Sequence, residues 1–287
     1  MPRADHREIG PWPSRPARRR TPRQPAERHG SRPAGRPSSG SRHPASPPAA
    51  PARRPLSPEQ PSPIAALPRL ENRADALLCE GPRGRVHDCG WTSRRSFGAS
   101  SHLIERPTGN VLIDSPRFNA PLARRITTLG GLSAIVLSHR DDVADHGRWA
   151  AAFGCPRWIH AADADAAPGA EQLLQGEQEV ALDPDLLLIP TPGHTAGSLV
   201  ALLGGEVLFS GDHLWWSDSV GAVVASRTHG WWDWPSQLAS VAKLRDRDVR
   251  WLFPGHGGRH AFPPGAWRQE LDRLLAHHGH GPEPGGT

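Results

Sequence analysis

The chain has 287 residues, a formal net charge of +5 and a calculated isoelectric point of about 10.2. The basic excess lies wholly in residues 1–63, where 13 Arg face four acidic residues for a charge of +9, so the remainder carries −4. A mildly acidic folded part argues against a nucleic-acid-binding face. Nor does the sequence contain a run of 18 apolar residues that would predict a membrane span, so neither nucleic acid nor a membrane is an expected partner of the folded part.

Residues 1–63 also hold 16 of the 32 Pro and almost no apolar clusters. Such a segment cannot bury enough surface to offset the entropy lost on ordering, so we predict that it is a disordered tail. It could bind polyanions, but a compositional bias is the simpler explanation. We predict a folded domain over residues 64–280 and a disordered end over residues 281–287.

The N-terminal sequence and the spacing of the Cys residues indicate the cellular compartment. The N-terminus has no apolar signal core followed by a cleavage site. The three Cys form no CxxC pair, so neither a disulfide framework nor a zinc ribbon is expected. We therefore expect a cytoplasmic protein.

The first predicted elements of the folded part are a hairpin and a helix. Ala99–Glu105 alternates like a strand, turn residues follow, and Val111–Asp114 is the returning strand. Helical spacing of apolar residues predicts a helix over Pro121–Leu129, ended by a Gly pair. The apolar run Ala134–Leu137 then has the length and β-branched content of a buried strand.

Five polar side chains follow that strand closely: His139, Asp141, Asp142, Asp145 and His146. Carboxylates and imidazoles at this density repel one another or titrate abnormally unless a cation holds them together. If a helix begins near Asp141, acid and imidazole four residues apart share one of its faces. The alternative is that Asp141 and Asp142 only cap a helix whose first turn favours acids.

Three later turns repeat the pattern of a strand, a Gly turn and a metal-ligating side chain. These are His194 after Leu186–Ile189, Asp212 after Val207–Phe209, and His256 after Trp251–Phe253. Gly allows backbone and cation to approach closely. Four strand ends that each deliver a ligand therefore indicate a metal site rather than a helix cap.

Aromatic residues are dense between Leu214 and Trp234. Trp215 and Trp216 are expected either to form an apolar wall of a substrate pocket or to pack in the core, and the two interpretations weigh about equally. Helices are predicted over Pro235–Leu244 and Ala266–His277.

The ordered motifs resemble those of the metallo-β-lactamase superfamily over about Val86 to Gly258: an Asp after a strand at Asp114, the His/Asp cluster, then His194, Asp212 and His256. The resemblance implies an α/β fold, the four-layer αβ/βα sandwich. One departure concerns the cluster, which in the family reads His-x-His-x-Asp-His. Here Asp141 stands where the second His is expected, and Asp145 and His146 come two residues late, as after an insertion of half a helical turn.

The resemblance also implies the site residues. The expected metal ligands are His139, Asp141, Asp145, His146, His194, Asp212 and His256. Asp212 would bridge two divalent metal ions, Asp145 would also act in catalysis by orienting the attacking hydroxide, and Asp114 would hold the cluster's loop. Zinc is favoured, with iron and manganese as alternatives, since a carboxylate at Asp141 makes the site harder. The choice between Asp141 and Asp142 as ligand stays open.

The function implied is a metal-dependent hydrolase that uses a metal-activated hydroxide on a small-molecule ester or thioester, as in enzymes of the glyoxalase II type. The alternative is a metal-binding protein whose activity is lost or is non-hydrolytic, for example oxidation at a mononuclear iron. The sequence does not indicate an oligomeric state.

Overall fold

Our computed structural model describes residues 76–81, 84–230 and 232–279 of the chain. The first of these residues belong to a seven-stranded sheet. The predicted tail over residues 1–63 and the predicted end over residues 281–287 lie outside the described residues, so both stay predictions. All of the described residues belong to one compact unit.

The first sheet holds its strands in sequence order. They are β1 (Ala76–Gly81), β2 (Gly84–Asp88), β3 (His102–Glu105), β4 (Val111–Ile113), β5 (Ala134–Val136), β6 (Arg157–His160) and β7 (Gln172–Leu174). Strands β1 to β4 pair antiparallel, and β4 to β7 pair parallel. The predicted hairpin is β3–β4, and β5 is the predicted strand before the cluster.

The second sheet has six strands: β8 (Val180–Asp183), β9 (Leu186–Pro190), β10 (Leu199–Leu203), β11 (Val207–Gly211), β14 (Trp251–Pro254) and β15 (His260–Ala261). Their order is β15-β14-β11-β10-β9-β8, and only β11 and β14 are parallel neighbours. A separate two-stranded ribbon, β12 (Trp215–Ser217) and β13 (Ala222–Val224), follows β11.

Four helices cover the outer faces of the sheets: α1 (Ala120–Thr128), α2 (His146–Phe153), α3 (Trp234–Leu244) and α4 (Ala266–His277). The residues of β10 show the layering, because Leu199 and Ala201 enter the core between the two sheets while Val200 and Leu202 pack with α3 and α4. Helices α1 and α2 pack on the outer face of the first sheet. The four-layer α/β sandwich is confirmed.

Local chemistry explains where α1 begins. The Asn119 side chain accepts a hydrogen bond from the backbone N–H of Leu122 at 2.9 Å, and Pro121 lies in the first turn, where a missing N–H costs nothing. Helix α2 differs from the prediction, because it begins at His146 and not near Asp141. The residues from Asp141 to Asp145 form turns, with Ala144 at a φ of 27°. The side chains of this segment therefore do not follow helical spacing.

The described helices were also compared with the requirements of a membrane span. None of them is both long and apolar enough to cross a bilayer. The cytoplasmic location stays a prediction.

Candidate metal centre

The ends of five strands converge on one cluster of side chains. Asp114 follows β4, His139 follows β5, His194 follows β9, Asp212 follows β11 and His256 follows β14. Two parallel pairs, β4 with β5 and β11 with β14, bring neighbouring carboxyl ends to the same edge of each sheet. The side chains that were predicted to follow strands therefore lie together in the structure.

The first ligand set is formed by two imidazoles and two carboxylates. Nε2 of His139 lies 3.8 Å from Oδ2 of Asp141 and 3.7 Å from Oδ2 of Asp212. Nε2 of His194 lies 3.6 Å and 3.8 Å from the same two oxygens. These separations are too long for hydrogen bonds. Two atoms bound to one ion at about 2.1 Å, with an angle near 110–125°, lie about 3.4–3.7 Å apart, so the spacing suits ligands of a common cation.

A second ligand set adjoins the first and shares Asp212 with it. Ligand atoms of Asp142, Asp212 and His256 all lie within 4.8 Å of one another, as do those of His139, His194 and Asp212. Nδ1 of His256 lies 2.8 Å from Oδ1 of Asp212. A methyl group on Gly255 would lie 2.7 Å from Oδ2 of Asp142 and 2.8 Å from Oδ1 of Asp212. Only Gly therefore fits where the backbone of the last turn passes the carboxylates.

Both sets contain buried atoms that lack hydrogen-bond partners. These atoms are Nε2 of His139, Nε2 of His194, Oδ2 of Asp141 and both carboxylate oxygens of Asp142. Among the described residues, the ion pairs of Asp141, Asp142 and Asp212 are formed with His alone. Buried polar atoms without partners are rare and costly. Divalent cations would satisfy all five, so the residues fit the metal that the motifs imply.

The electrostatics of the cluster agree with this interpretation. Burial, together with Asp114, Asp212 and Asp141, raises the pKa of Asp142 well above its ordinary value. Burial lowers the pKa of His139 to about 4, so this imidazole is neutral at pH 7 and can ligate. The neighbouring His194 ring lowers the pKa of Asp141. Carboxylates crowded beside neutral imidazoles need a positive charge from elsewhere.

Asp114 orients His139 through Ser138, as predicted for its supporting role. The Ser138 N–H donates to Oδ1 of Asp114 at 2.7 Å, and the Ser138 hydroxyl donates to Oδ2 at 3.0 Å. Oγ of Ser138 lies 2.9 Å from Nδ1 of His139. Burial raises the pKa of Asp114 to about 7, and in its ionised form Asp114 offers only acceptors, so that the Ser138 oxygen then accepts from Nδ1–H of His139. The lone pair of His139 is therefore on Nε2, the atom that faces the first ligand set.

Asp163 is a supporting residue that the sequence did not indicate. It is buried and accepts hydrogen bonds from the Arg140 N–H at 3.1 Å, the Thr195 hydroxyl at 2.5 Å and the Gly197 N–H at 3.2 Å. It thereby ties the loop after β5 to the turn that carries His194. Nothing in the local sequence around Asp163 distinguishes it, since its partners come from remote segments.

Two of the predicted ligands are not brought to the cluster. Oδ1 of Asp145 accepts from Arg95 at 2.9 Å, and Oδ2 accepts from the Phe118 N–H at 2.9 Å. Nδ1 of His146 lies 3.2 Å from a guanidinium nitrogen of Arg157. The prediction assumed that an insertion of half a helical turn brings Asp145 to the metal. The segment folds as turns instead, and Asp142 is the carboxylate that lies with Asp212 and His256. The catalytic role predicted for Asp145 has no geometric basis here.

The cluster opens into a cleft with aromatic walls. One cavity of about 410 Å³ is lined by Phe97, Trp215 and His229 together with residues of both ligand sets. Trp216 stacks instead on His260, with ring centroids 3.6 Å apart, and joins the core under α3 and α4. The interpretation as a pocket wall therefore applies to Trp215, and the interpretation as core packing applies to Trp216. Trp215 lies at the cleft and Trp216 packs.

Comparisons with known structures give the same fold. The structure of the DIM-1 metallo-beta-lactamase matches with a TM-score of 0.54 and 16% identity over 72% of this chain and 99% of that one. FIM-1 from Pseudomonas aeruginosa, in a mono-zinc form, matches with a TM-score of 0.51 and 16% identity over 73% and 98%. The protein TTHA1623, in a di-iron-bound form, gives a TM-score of 0.47 and 22% identity over 64% and 93%. No curated protein sequence matches the chain.

The comparison with sequence models of protein families identifies the family. The sequence model of the Metallo-beta-lactamase superfamily matches residues 94–256, which is more than half of the chain. The matched range begins before the turn that carries Phe97 and ends on His256, the last residue of the second ligand set. The chain therefore belongs to the metallo-β-lactamase superfamily, a group of divalent-metal enzymes that are generally hydrolases.

Proposed function

We propose that the protein is a metal-dependent hydrolase that acts on a small-molecule ester or thioester, in the manner of glyoxalase II. The observation that carries the proposal is the group of five buried, unpartnered ligand atoms at the edge of a cleft of about 410 Å³. His139, Asp141 and His194 would hold one divalent ion, Asp142 and His256 a second, and Asp212 belongs to both sets. When bound, such ions supply a nucleophilic water near neutral pH and a Lewis acid for the carbonyl oxygen.

The protein's own residues orient and confine the reaction. Ser138 and Asp114 fix the tautomer of His139, and Asp163 fixes the loop of Asp141 against the turn of His194. Asp212 accepts from His256, which raises the pKa of that ring. Trp215 and Phe97 cover the cleft with apolar surface, which excludes water around a bound ester.

A second candidate is oxidation at a single iron. The set of His139, His194 and Asp212 has the two-imidazole, one-carboxylate composition that mononuclear iron oxygenases use. This candidate requires that Asp142 and His256 hold no metal. The two candidates therefore differ in the number of ions per chain as well as in the reaction.

Metal content and hydrolysis measured on the same preparation test the proposal. We expect close to two divalent ions per chain, with zinc favoured, in protein purified without chelator. We also expect hydrolysis of activated esters or thioesters that EDTA abolishes and added metal restores. Asp212→Ala should lower both quantities by at least about tenfold, whereas Asp218→Ala, at an exposed acid of the ribbon turn, should change neither. Failure of the metal-restored protein on ester, thioester, lactone and lactam substrates would refute the hydrolase. One iron per chain would then favour oxidation.

A further inference from the structure

Phe97 is the most exposed large apolar side chain among the described residues. Its side chain is 70% exposed, and only three others of this class are exposed, namely Leu173, Val220 and Trp232. Leaving an aromatic ring in water forgoes the stabilisation that burial would give. A single exposed apolar residue is normal, but exposed aromatic rings that line one cavity together form the kind of apolar surface that binds ligands.

The backbone at Phe97 adds a second cost. Its φ of 49° and ψ of 16° are left-handed, a conformation that is strained for a bulky side chain and is natural for Gly or Asn. The turn is nevertheless well ordered by hydrogen bonds. The Gly98 N–H donates to Ser93 O at 2.9 Å, and the Ser100 N–H donates to Gly255 O at 2.8 Å. Strain and exposure at one residue beside a cluster of ligands call for a functional explanation.

Trp232 is exposed at a second cavity that adjoins the cleft through Phe97. Its side chain is 54% exposed, and its N–H donates to the carbonyl of His194 at 3.2 Å, so its backbone is fixed to the first ligand set. Phe97 and Trp232 both line a cavity of about 400 Å³, together with Arg140, Asp141 and Thr195. Phe97 and Asp141 also line the cavity of Trp215 and His256. Phe97 therefore lies where the two cavities meet, next to a ligand of the metal centre.

Of the charged groups in the second cavity, Asp141 belongs to the first ligand set, and the other two already have partners. The Arg140 guanidinium pairs with Asp165 at 2.8 Å, and Asp163 accepts three hydrogen bonds. The surface left for a ligand is that of the two aromatic rings. A polar or charged substrate group would gain little there.

From these observations we infer that Phe97 and Trp232 form an aromatic clamp that binds a bulky apolar group of the substrate beside the metal centre. This inference rests on the proposed function and narrows it to esters or thioesters with an aryl or large alkyl group. A cavity of about 400 Å³ accommodates a group the size of naphthalene. The clamp acts through its side chains, whereas the contact of Phe97 with the second ligand set, between its carbonyl oxygen and Nε2 of His256 at 3.3 Å, belongs to the backbone and is kept in Phe97→Ala.

The test compares substrate preference among variants. The metal-loaded protein is assayed with ethyl acetate, ethyl 2-naphthoate and 2-naphthyl acetate, and preference is the ratio of kcat/KM for each naphthyl ester to that for ethyl acetate. Because intrinsic ester reactivity is the same for every variant, changes in this ratio report on the protein. We expect Phe97→Ala and Trp232→Ala each to lower the ratio at least about fivefold for one naphthyl ester or both. The double variant should lose less than the product of the single losses, since both rings hold one group.

Matched controls separate the clamp from general effects. Leu173→Ala removes an exposed apolar side chain that lines neither cavity, and it should leave the ratio unchanged. Phe97→Gly should keep or raise the melting temperature, because it relieves the left-handed strain, and yet lose the preference. Unchanged ratios in both clamp variants, or a self-associating wild type that Phe97→Ala makes monomeric, would overturn the clamp.

A calorimetric measurement keeps the two proposals distinguishable. If no ester is hydrolysed, the proposed function fails, and the clamp is judged by binding of 2-naphthoate and acetate. About tenfold tighter binding of 2-naphthoate, lost in Phe97→Ala and Trp232→Ala, would support the clamp. Equal binding of the two carboxylates would refute it.

Discussion

Asp142→Asn distinguishes the ligand assignment of the structure from that of the sequence motif. Asp142 is fully buried, and neither of its carboxylate oxygens has a partner. A buried acceptor without a partner costs about 1–3 kcal/mol, and more when it is charged. Asn has the same shape and still lacks a partner, but it removes the buried charge and its repulsion from Asp114, Asp212 and Asp141. In protein stripped of metal at pH 8, the variant should therefore be more stable than the wild type by about 1–3 kcal/mol, the extra cost of a charged group.

Bound metal acts in the opposite direction. If Asp142 holds an ion, its loss should weaken metal affinity about a hundredfold, the upper end for disturbed ligation. At saturating metal this removes about 2.7 kcal/mol of the stabilisation that metal adds to the wild type. Urea unfolding at pH 8, in EDTA and in excess zinc, measures both differences. The variant should be more stable than the wild type in EDTA and should gain less from zinc.

Asp145→Asn is the matched control. It breaks the ion pair with Arg95 and weakens the hydrogen bond from the Phe118 N–H, so stability should fall by about 1 kcal/mol with or without zinc. The zinc response itself should stay that of the wild type. If instead Asp145→Asn abolishes the zinc response and Asp142→Asn retains it, the half-turn insertion is correct and our ligand sets are wrong.

Two further predictions concern close packing and pH. Gly255→Ala should lower metal content at least about tenfold with the fold retained, by elemental analysis and circular dichroism, because its methyl group would lie 2.7 Å from Asp142; wild-type metal content would contradict the packing. Burial lowers the pKa of His102 to about 4, so the stability associated with its neutral ring is present above about pH 6.5 and is lost as the pH falls through 4. Between pH 7 and 4.5, His102→Gln should lose about 2 kcal/mol less stability than the wild type in urea unfolding, and an identical loss would contradict the shift.

The site residues that can be predicted from the sequence are those that directly follow strands. His139, His194, Asp212 and His256 each come directly after an apolar run and a turn, and the structure brings all four together. Strand ends are well determined by hydrophobic pattern, because a buried strand has few alternatives. Position along the chain then fixes position in space.

The part that sequence does not predict depends on tertiary contacts. The segment from Asp141 to Asp145 has the composition of a helix start, yet α2 begins only at His146. The carboxylate of Asp145 is drawn away by Arg95, which lies 50 residues earlier in the chain. Asp163 is likewise recognised only through its partners near His194. Local propensity cannot reveal such long-range partners.

The substitution of Asp for His at position 141 changes the charge balance of the whole centre. Asp141, Asp142 and Asp212 carry −3 when ionised, and burial together with the neighbouring carboxylates raises the pKa of Asp142 well above its ordinary value. One divalent ion would leave −1, which repels the negative charge that develops on a carbonyl oxygen under attack. Two would leave +1 before the attacking hydroxide is counted and 0 with it, so that the negative charge that develops meets no net repulsion in a cleft with apolar walls. Electrostatics therefore favours two ions if the reaction is a hydrolysis, and the same carboxylate that departs from the family pattern makes the second ion more necessary.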